Sequence, residues 1–213
     1  MKCGEAMKRC IIVGGADINR YDILKNYISD GDFAIYCDCG LRHMESLGLP
    51  ASLIVGDFDS HPNPCFDDIE TIVLPREKDD TDTVFAVKEA LKRGYDDFLL
   101  IGVVGGRLDH SLGNVSVLAM LDSLGKTAKI VDDYSEMEIA DAETKYVDGS
   151  FSYFSLLNVF GEASGICERN AKFPLEDAEI TCEYQYGISN EVLSGKTAEI
   201  TVGKGRMLLI KVR

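Results

Sequence analysis

Short apolar runs alternate with stretches of helical periodicity through the first two thirds of the chain. CIIVGG (10–15) predicts a strand that ends in glycines, and DILKNYISDG (22–31) a helix stopped at Gly31. FAIYCD (33–38) predicts a second strand, LRHMESLG (41–48) a short helix, SLIVGD (52–57) a third strand and TIVLP (71–75) a fourth. The clearest amphipathic helix is TDTVFAVKEALKRG (81–94). A strand DFLLIGVVG (97–105), a helix LGNVSVLAMLDSLG (112–125) and a strand TAKIVDD (127–133) follow it. Strands alternating with helices build a mostly parallel sheet covered on both faces, so residues 1–133 are expected to form an α/β domain.

Beyond residue 134 the period shortens. FSYFSLLNVF (151–160), AEITCEYQY (178–186), KTAEITV (196–202) and RMLLIKVR (206–213) are strand-like, separated by turn residues such as Asp148-Gly149 and Gly187. Residues 134–213 are therefore expected to form a smaller all-β, sandwich-like, antiparallel domain. Its core would be marginal alone, which calls for packing on the first domain or on a second subunit.

Composition narrows the partners. The 213 residues are 46% hydrophobic, enough for a real core, and carry a formal net charge of -14. That charge, without a cluster of Lys and Arg, argues against a nucleic-acid backbone. A small anion stays open where a few cations or a metal reverse the local field. Seven cysteines, an odd count with no secretory leader, fit a reducing, cytoplasmic setting rather than a disulfide framework. Cys37 and Cys39 have no second Cys/His pair at zinc spacing, and no apolar run reaches the roughly 18 residues of a membrane span.

The chemically distinctive stretches fall where predicted strands end, which is where open α/β sheets bind ligands. They are GGAD (14–17), CDCG (37–40), GDFDS (56–60) and VGGRLDH (104–110). Asp57 and Asp59 stand two apart at a strand end and can face the same side, where they would raise each other's proton affinity. A hard divalent cation removes that cost, and Mg²⁺ typically takes one or two carboxylates plus phosphate oxygens. The bland alternative leaves Asp57 in solvent and Asp59 capping a turn. In REKDDTDT (76–83), Asp79, Asp80 and Asp82 crowd a helix start that Thr81 could cap, and Lys78 could meet a phosphate or pair with these carboxylates. VGGRLDH offers a glycine turn for close backbone approach, Arg107 for forked phosphate contacts, and Asp109 and His110 at the next helix start. His110 reads either as a general base or as a local packing group, and His43 and His61 have weaker claims. Neither G-x-G-x-x-G nor a P-loop occurs, so a nucleotide site here is of another kind.

These pieces stand in the order of a known family. CDCGLRHMESLGLPASLIVGDFDS, PREKDDTDTVFAV and GVVGGRLDHSLGNVSVL resemble thiamine pyrophosphokinase, and the tail with AKFPLED (171–177) and GISNEV (187–192) is similar to that family's thiamine-binding domain. The resemblance covers nearly the whole chain. It implies transfer of the β,γ-diphosphoryl group of ATP to the hydroxyl of thiamine, giving thiamine diphosphate and AMP, with Mg²⁺ as cofactor. Asp57, Asp59 and Asp82 would hold Mg²⁺ around the phosphates, with Lys78 and Asp79 beside them; if a carboxylate also accepts the alcohol proton, Asp79 is the candidate. Asp38, matching the aspartate of the family's D-G-G turn, would line the nucleotide and phosphate site with Arg107, Asp109 and His110. Phe173 would lie near the thiamine rings, and Ser189 and Asn190 at the same cleft. The resemblance also implies a homodimer, with each thiamine site between the α/β domain of one subunit and the β domain of the other.

Departures from the family pattern are local. Cys39 stands at the middle glycine of D-G-G, Asn170-Ala171 replaces a glycine-containing approach, and Phe173 keeps a π face where Tyr or Trp is usual. None removes a carboxylate that the metal chemistry needs. Two other readings use the same carboxylates: a metal-dependent phosphohydrolase or diphosphotransferase acting on another alcohol, and a non-catalytic sensor of Mg-nucleotide or thiamine.

Overall fold

The computed structural model of the protein describes residues 8–58, 66–77 and 79–213. The chain divides into two compact units, Met1–Asp133 and Tyr134–Arg213. In the first, β1 (Arg9–Val13), β2 (Phe33–Cys37), β3 (Leu53–Gly56), β4 (Glu70–Val73), β5 (Asp97–Ile101) and β6 (Thr127–Val131) lie in the order β4-β3-β2-β1-β5-β6, and each neighbouring pair is parallel. Cys10, Ile11, Ile12 and Val13 are all inaccessible, as a strand covered on both faces requires. Ile11, Val13, Tyr36, Ile54 and Ile101 pack with Leu24, Leu41 and Leu47. Helix α3 (Asp82–Lys92) lies against β1, β2 and β3, and α4 (Leu108–Ser123) against β6. The sheet is thus α/β, mostly parallel and helix-covered, as the pattern predicted.

The helix expected over 22–31 is reduced to one turn, α1 (Tyr21–Leu24), and a 3₁₀ turn at Lys25–Tyr27. Side chains take its backbone partners: Arg9 donates to the Tyr27 carbonyl (2.9 Å), and Asp32 accepts from the Ser29 N–H (2.7 Å). Between β2 and β3 a 3₁₀ run, Asp38–His43, leads into α2 (Met44–Leu47), closed by Gly48 at φ 67°. Helix α4 begins at Leu108, ahead of the expected residue 112.

The second unit is all β. β7 (Ser135–Ala140), β8 (Lys145–Val147), β9 (Tyr153–Leu157), β10 (Ser164–Arg169), β11 (Leu175–Glu179), β12 (Ala198–Lys204) and β13 (Met207–Val212) form antiparallel ladders in the orders β7-β13-β9 and β11-β10-β12-β8. Phe154, Leu156, Met207 and Leu209 from the first set and Ile166, Ala198, Ile200 and Val202 from the second share one core. The strand expected over 178–186 stops at Glu179, and only a bridge between Thr181 and Tyr184 follows. Strands β7, β8 and β10 went unpredicted. In two of them charges stand at inward positions: Glu136 is buried against Lys211 (2.6 Å), and Glu168 is 1% exposed. Among the described residues no helix is long and apolar enough to cross a membrane.

Candidate functional site

The chain adds β2, β3 and β4 on one side of β1 and β5 and β6 on the other, so the strand order reverses between β1 and β5. Open α/β sheets bind ligands beyond the carboxyl ends of the strands at such a point. A cavity of about 460 Å³ lies there, walled by 14–17 after β1, by 37–39 and Arg42 after β2, by 81–83, by the glycine-rich 102–107 turn and by the first turn of α4.

Side chains pin the loops that wall it. His43 is buried; its Nε2–H donates to the Ala16 carbonyl (2.9 Å) and its Nδ1 accepts from the Tyr21 hydroxyl (2.8 Å). Burial, then the Arg42 charge, lowers its proton affinity, so the neutral ring suits this tautomer. Asp133 accepts from the backbone N–H groups of Asn19 (2.9 Å) and Arg20 (3.0 Å). Across the cavity Asn114 donates to the Val103 carbonyl (2.8 Å), and the Ser111 hydroxyl accepts from the Gly105 N–H (3.0 Å).

The carboxylates meet at the ends of neighbouring elements. Asp38 directly follows β2 with φ 37° and is 8% exposed, and its Oδ1 has no hydrogen-bond partner among the described residues. Gly56 makes room for it, since a Cβ there would lie 3.1 Å from that of Asp38. The Asp38 proton affinity is raised first by burial and then by the charges of Asp82 and Asp57. Three carboxylates from β2, β3 and α3 are thus within electrostatic reach of one another. Asp82 is the first residue of α3, whose Thr81 cap accepts from the Val84 N–H (3.3 Å).

The other predicted residues divide. Asp59 and Lys78 lie outside the described residues. Asp80 turns to Lys88 (2.7 Å), and Asp79 is exposed and off the cavity wall. Arg107 and His110 are on the wall. Asp109 is not; it takes both arms of Arg107 (3.0 and 2.6 Å), which hold its carboxyl well below the usual range. Among the described residues no group of three His, Cys, Asp or Glu stands at metal-holding geometry. Sequence reasoning overlooked Arg42, whose guanidinium bonds the Gly15 carbonyl and Asp17 (2.8 Å) on the wall. The available signal was a cation one turn beyond Asp38.

In the second unit the Phe173 ring is 61% exposed and Asn190 only 4%. The Asn190 amide is fully used: Oδ1 accepts from the N–H groups of Phe173 (3.0 Å) and Glu191 (2.9 Å), and Nδ2 donates to the Phe173 carbonyl (2.8 Å) and to Glu168 Oε2 (2.6 Å). Asn190 therefore grips the Phe173 backbone. Ser189 is exposed at φ 59°, its N–H donating to the Ser155 hydroxyl (3.0 Å). Lys172 Nζ lies 5.7 Å from the Phe173 ring centroid and pairs with Glu191 (2.7 Å).

Residues 24–131 match the family profile described as thiamin pyrophosphokinase, catalytic domain, and residues 139–207 that described as thiamin pyrophosphokinase, vitamin B1 binding domain. The chain belongs to the thiamine pyrophosphokinase family. The thiamine pyrophosphokinase of Bacillus subtilis (strain 168) is 26% identical over 212 residues, 96% of this chain and 99% of that protein. Crystal structures share the fold. The B. subtilis thiamine pyrophosphokinase superposes with a TM-score of 0.85 at 23% identity, covering 96% of this chain and 99% of that one. The thiamin pyrophosphokinase of Geobacillus thermodenitrificans gives 0.81 at 26% identity, covering 96% and 97%. Within the family's catalytic-domain match fall Asp38, Asp57, Asp82 and Arg107, and within its vitamin B1 match Phe173, Ser189 and Asn190.

Proposed function

We propose that this chain transfers the diphosphoryl group of ATP to the hydroxyl of thiamine, releasing thiamine diphosphate and AMP. The observation that carries this reading is the gathering of Asp38, Asp57 and Asp82 beside a glycine-floored cavity in the unit that matches the catalytic-domain profile. The buried Oδ1 of Asp38, without a hydrogen-bond partner among the described residues, and the mutual repulsion of the carboxylates fit a bound cation. Asp57, Asp59 and Asp82 would hold Mg²⁺, which when bound neutralises charge on the phosphate oxygens.

The remaining work falls to the chain. Gly14, Gly15 and Gly105, without side chains, let the backbone come close to the nucleotide, and Arg42 and Arg107 carry positive charge to the same wall. The start of α4 adds the positive end of a helix dipole. These groups orient the triphosphate so that the thiamine hydroxyl and the departing AMP oxygen lie roughly in line across the β-phosphorus. Asp79, exposed just ahead of the Thr81 cap, is the candidate acceptor for the alcohol proton. Phe173 offers its face to the cationic thiazolium, with Ser189 beside it and Asn190 holding the segment.

The proposal includes a cytoplasmic homodimer in which the α/β unit of one subunit faces the β unit of the other. Exposed Leu108 and Leu112 on α4, and Ile188 and Leu193 in the β unit, are apolar surface that such a contact would cover. The test is incubation with ATP, Mg²⁺ and thiamine, with the product identified by mass. Thiamine diphosphate is expected; thiamine monophosphate with ADP would overturn the reading.

A further inference from the structure

Glu168 occupies a position where the fold asks for an apolar side chain. It alternates with Ile166 on β10 and pairs with Ile200 on β12 and Leu175 on β11, yet it is 1% exposed and carries a carboxyl group. One oxygen, Oε2, accepts from Asn190 at 2.6 Å, and the other, Oε1, is buried with no hydrogen-bond partner among the described residues. Such a group costs stability, which calls for a role beyond packing. Among the described residues its one side-chain hydrogen bond is to the amide that clamps both backbone groups of Phe173. The ring so held already has a cation over it, Lys172.

Resting on the reading of Phe173 as the thiamine face, we propose that Glu168 is a positioning and charge-selecting residue of that site. Its carboxylate fixes the Asn190 amide against Phe173 and sets a negative charge one side chain away from the exposed ring, so that a cationic heteroaromatic ring is taken in preference to a neutral one. The proton affinity of Glu168 is raised by burial, opposed by the Asn190 bond, to about 7. The charged groups on the elements around it are Arg169 on β10, Glu176, Asp177 and Glu179 on β11, Glu199 and Lys204 on β12, and Lys172 and Glu191 beside Asn190. Tyr153 is the titratable residue of β9. None of these contributes to the shift.

The sign follows from linkage. A bound cation stabilises the ionised carboxylate, so affinity for thiamine rises as pH rises through about 7, and thiamine binding releases protons in that range. The experiment is calorimetric titration of the full-length protein with thiamine, and with an analogue whose thiazolium is replaced by a neutral ring, between pH 6 and 8.5. Wild type is expected to bind thiamine about fivefold tighter at the upper end, the scale of one partly screened charge pair, and the neutral analogue equally at both ends. Glu168→Gln keeps an acceptor for Asn190 and should lose the pH dependence of thiamine binding while keeping its affinity for the neutral analogue. A wild-type profile that is flat, or the same for both ligands, overturns the proposal without any variant. A protein that binds neither ligand overturns the proposed function itself, and this inference with it.

Discussion

Gly14 and Gly102 touch across the point where the sheet changes direction: a Cβ on either would lie 2.6 Å from the carbonyl oxygen of the other. The Gly14 N–H donates to Ile101 (2.8 Å) and the Ala16 N–H to Gly102 (2.8 Å), so the two loops act as one floor. Gly102→Ala adds both this clash and a side chain at φ 64°. The left-handed backbone alone costs about 1–2 kcal/mol. The expected outcome is a lower melting temperature and an ATP KM raised about tenfold or more, a displacement of the floor that thiamine calorimetry on the same variant should not register.

Arg42 ties the first loop to the cavity wall through Gly15 and Asp17. Arg42→Ala should raise the ATP KM by about tenfold through loss of a charged hydrogen-bond donor, with little change in the thiamine KM. Steady-state kinetics with each substrate varied in turn checks the split. An equal rise in both would place Arg42 in general stability rather than at the nucleotide.

Lys211 is buried between Glu136 (2.6 Å) and Glu138. Removing the cation leaves two acids facing an apolar core, so Lys211→Met should cost about 3–5 kcal/mol in urea unfolding. The triple change with Glu136→Gln and Glu138→Gln should recover much of that loss.

Glu168 makes stability depend on pH. Its carboxyl is pushed from 4.5 up to about 7 by burial, so between those values the folded state binds the extra proton. Stability is therefore fully present below about pH 4.5 and lost as pH rises through about 7, by an amount on the order of 3 kcal/mol at most. Thermal melts of wild type and Glu168→Gln should diverge along that window, with the variant flatter.

The sequence displayed the α/β unit well because its strands are buried on both faces and therefore read as unbroken apolar runs, as in CIIV and SLIV. The β unit was harder. Glu136, Lys211 and Glu168 stand at inward positions and break the alternation that marks a half-buried strand, which hid β7 and β10. The 22–31 helix was overread because Arg9 and Asp32, distant or flanking in sequence, take the backbone groups it needed. Near the cavity, Asp57 at a strand end and Asp82 at a helix start stood out in the sequence because such acidic clusters carry a local signature, and Asp38 through the resemblance to the family's D-G-G turn. Arg42 was invisible for the opposite reason: its contacts are with a loop far away in sequence. The saturation of the Asn190 amide likewise depends on Glu168 and Phe173, which no local pattern brings together.

The measurement that bears most directly on the account is the ratio of AMP to thiamine diphosphate formed from ATP and Mg²⁺ by wild type and by Asp82→Asn of matched melting temperature. One AMP per thiamine diphosphate is predicted for wild type, with no AMP when thiamine is left out, and a loss of at least about a hundredfold in rate for Asp82→Asn. AMP released without thiamine, or full turnover by Asp82→Asn, would contradict it.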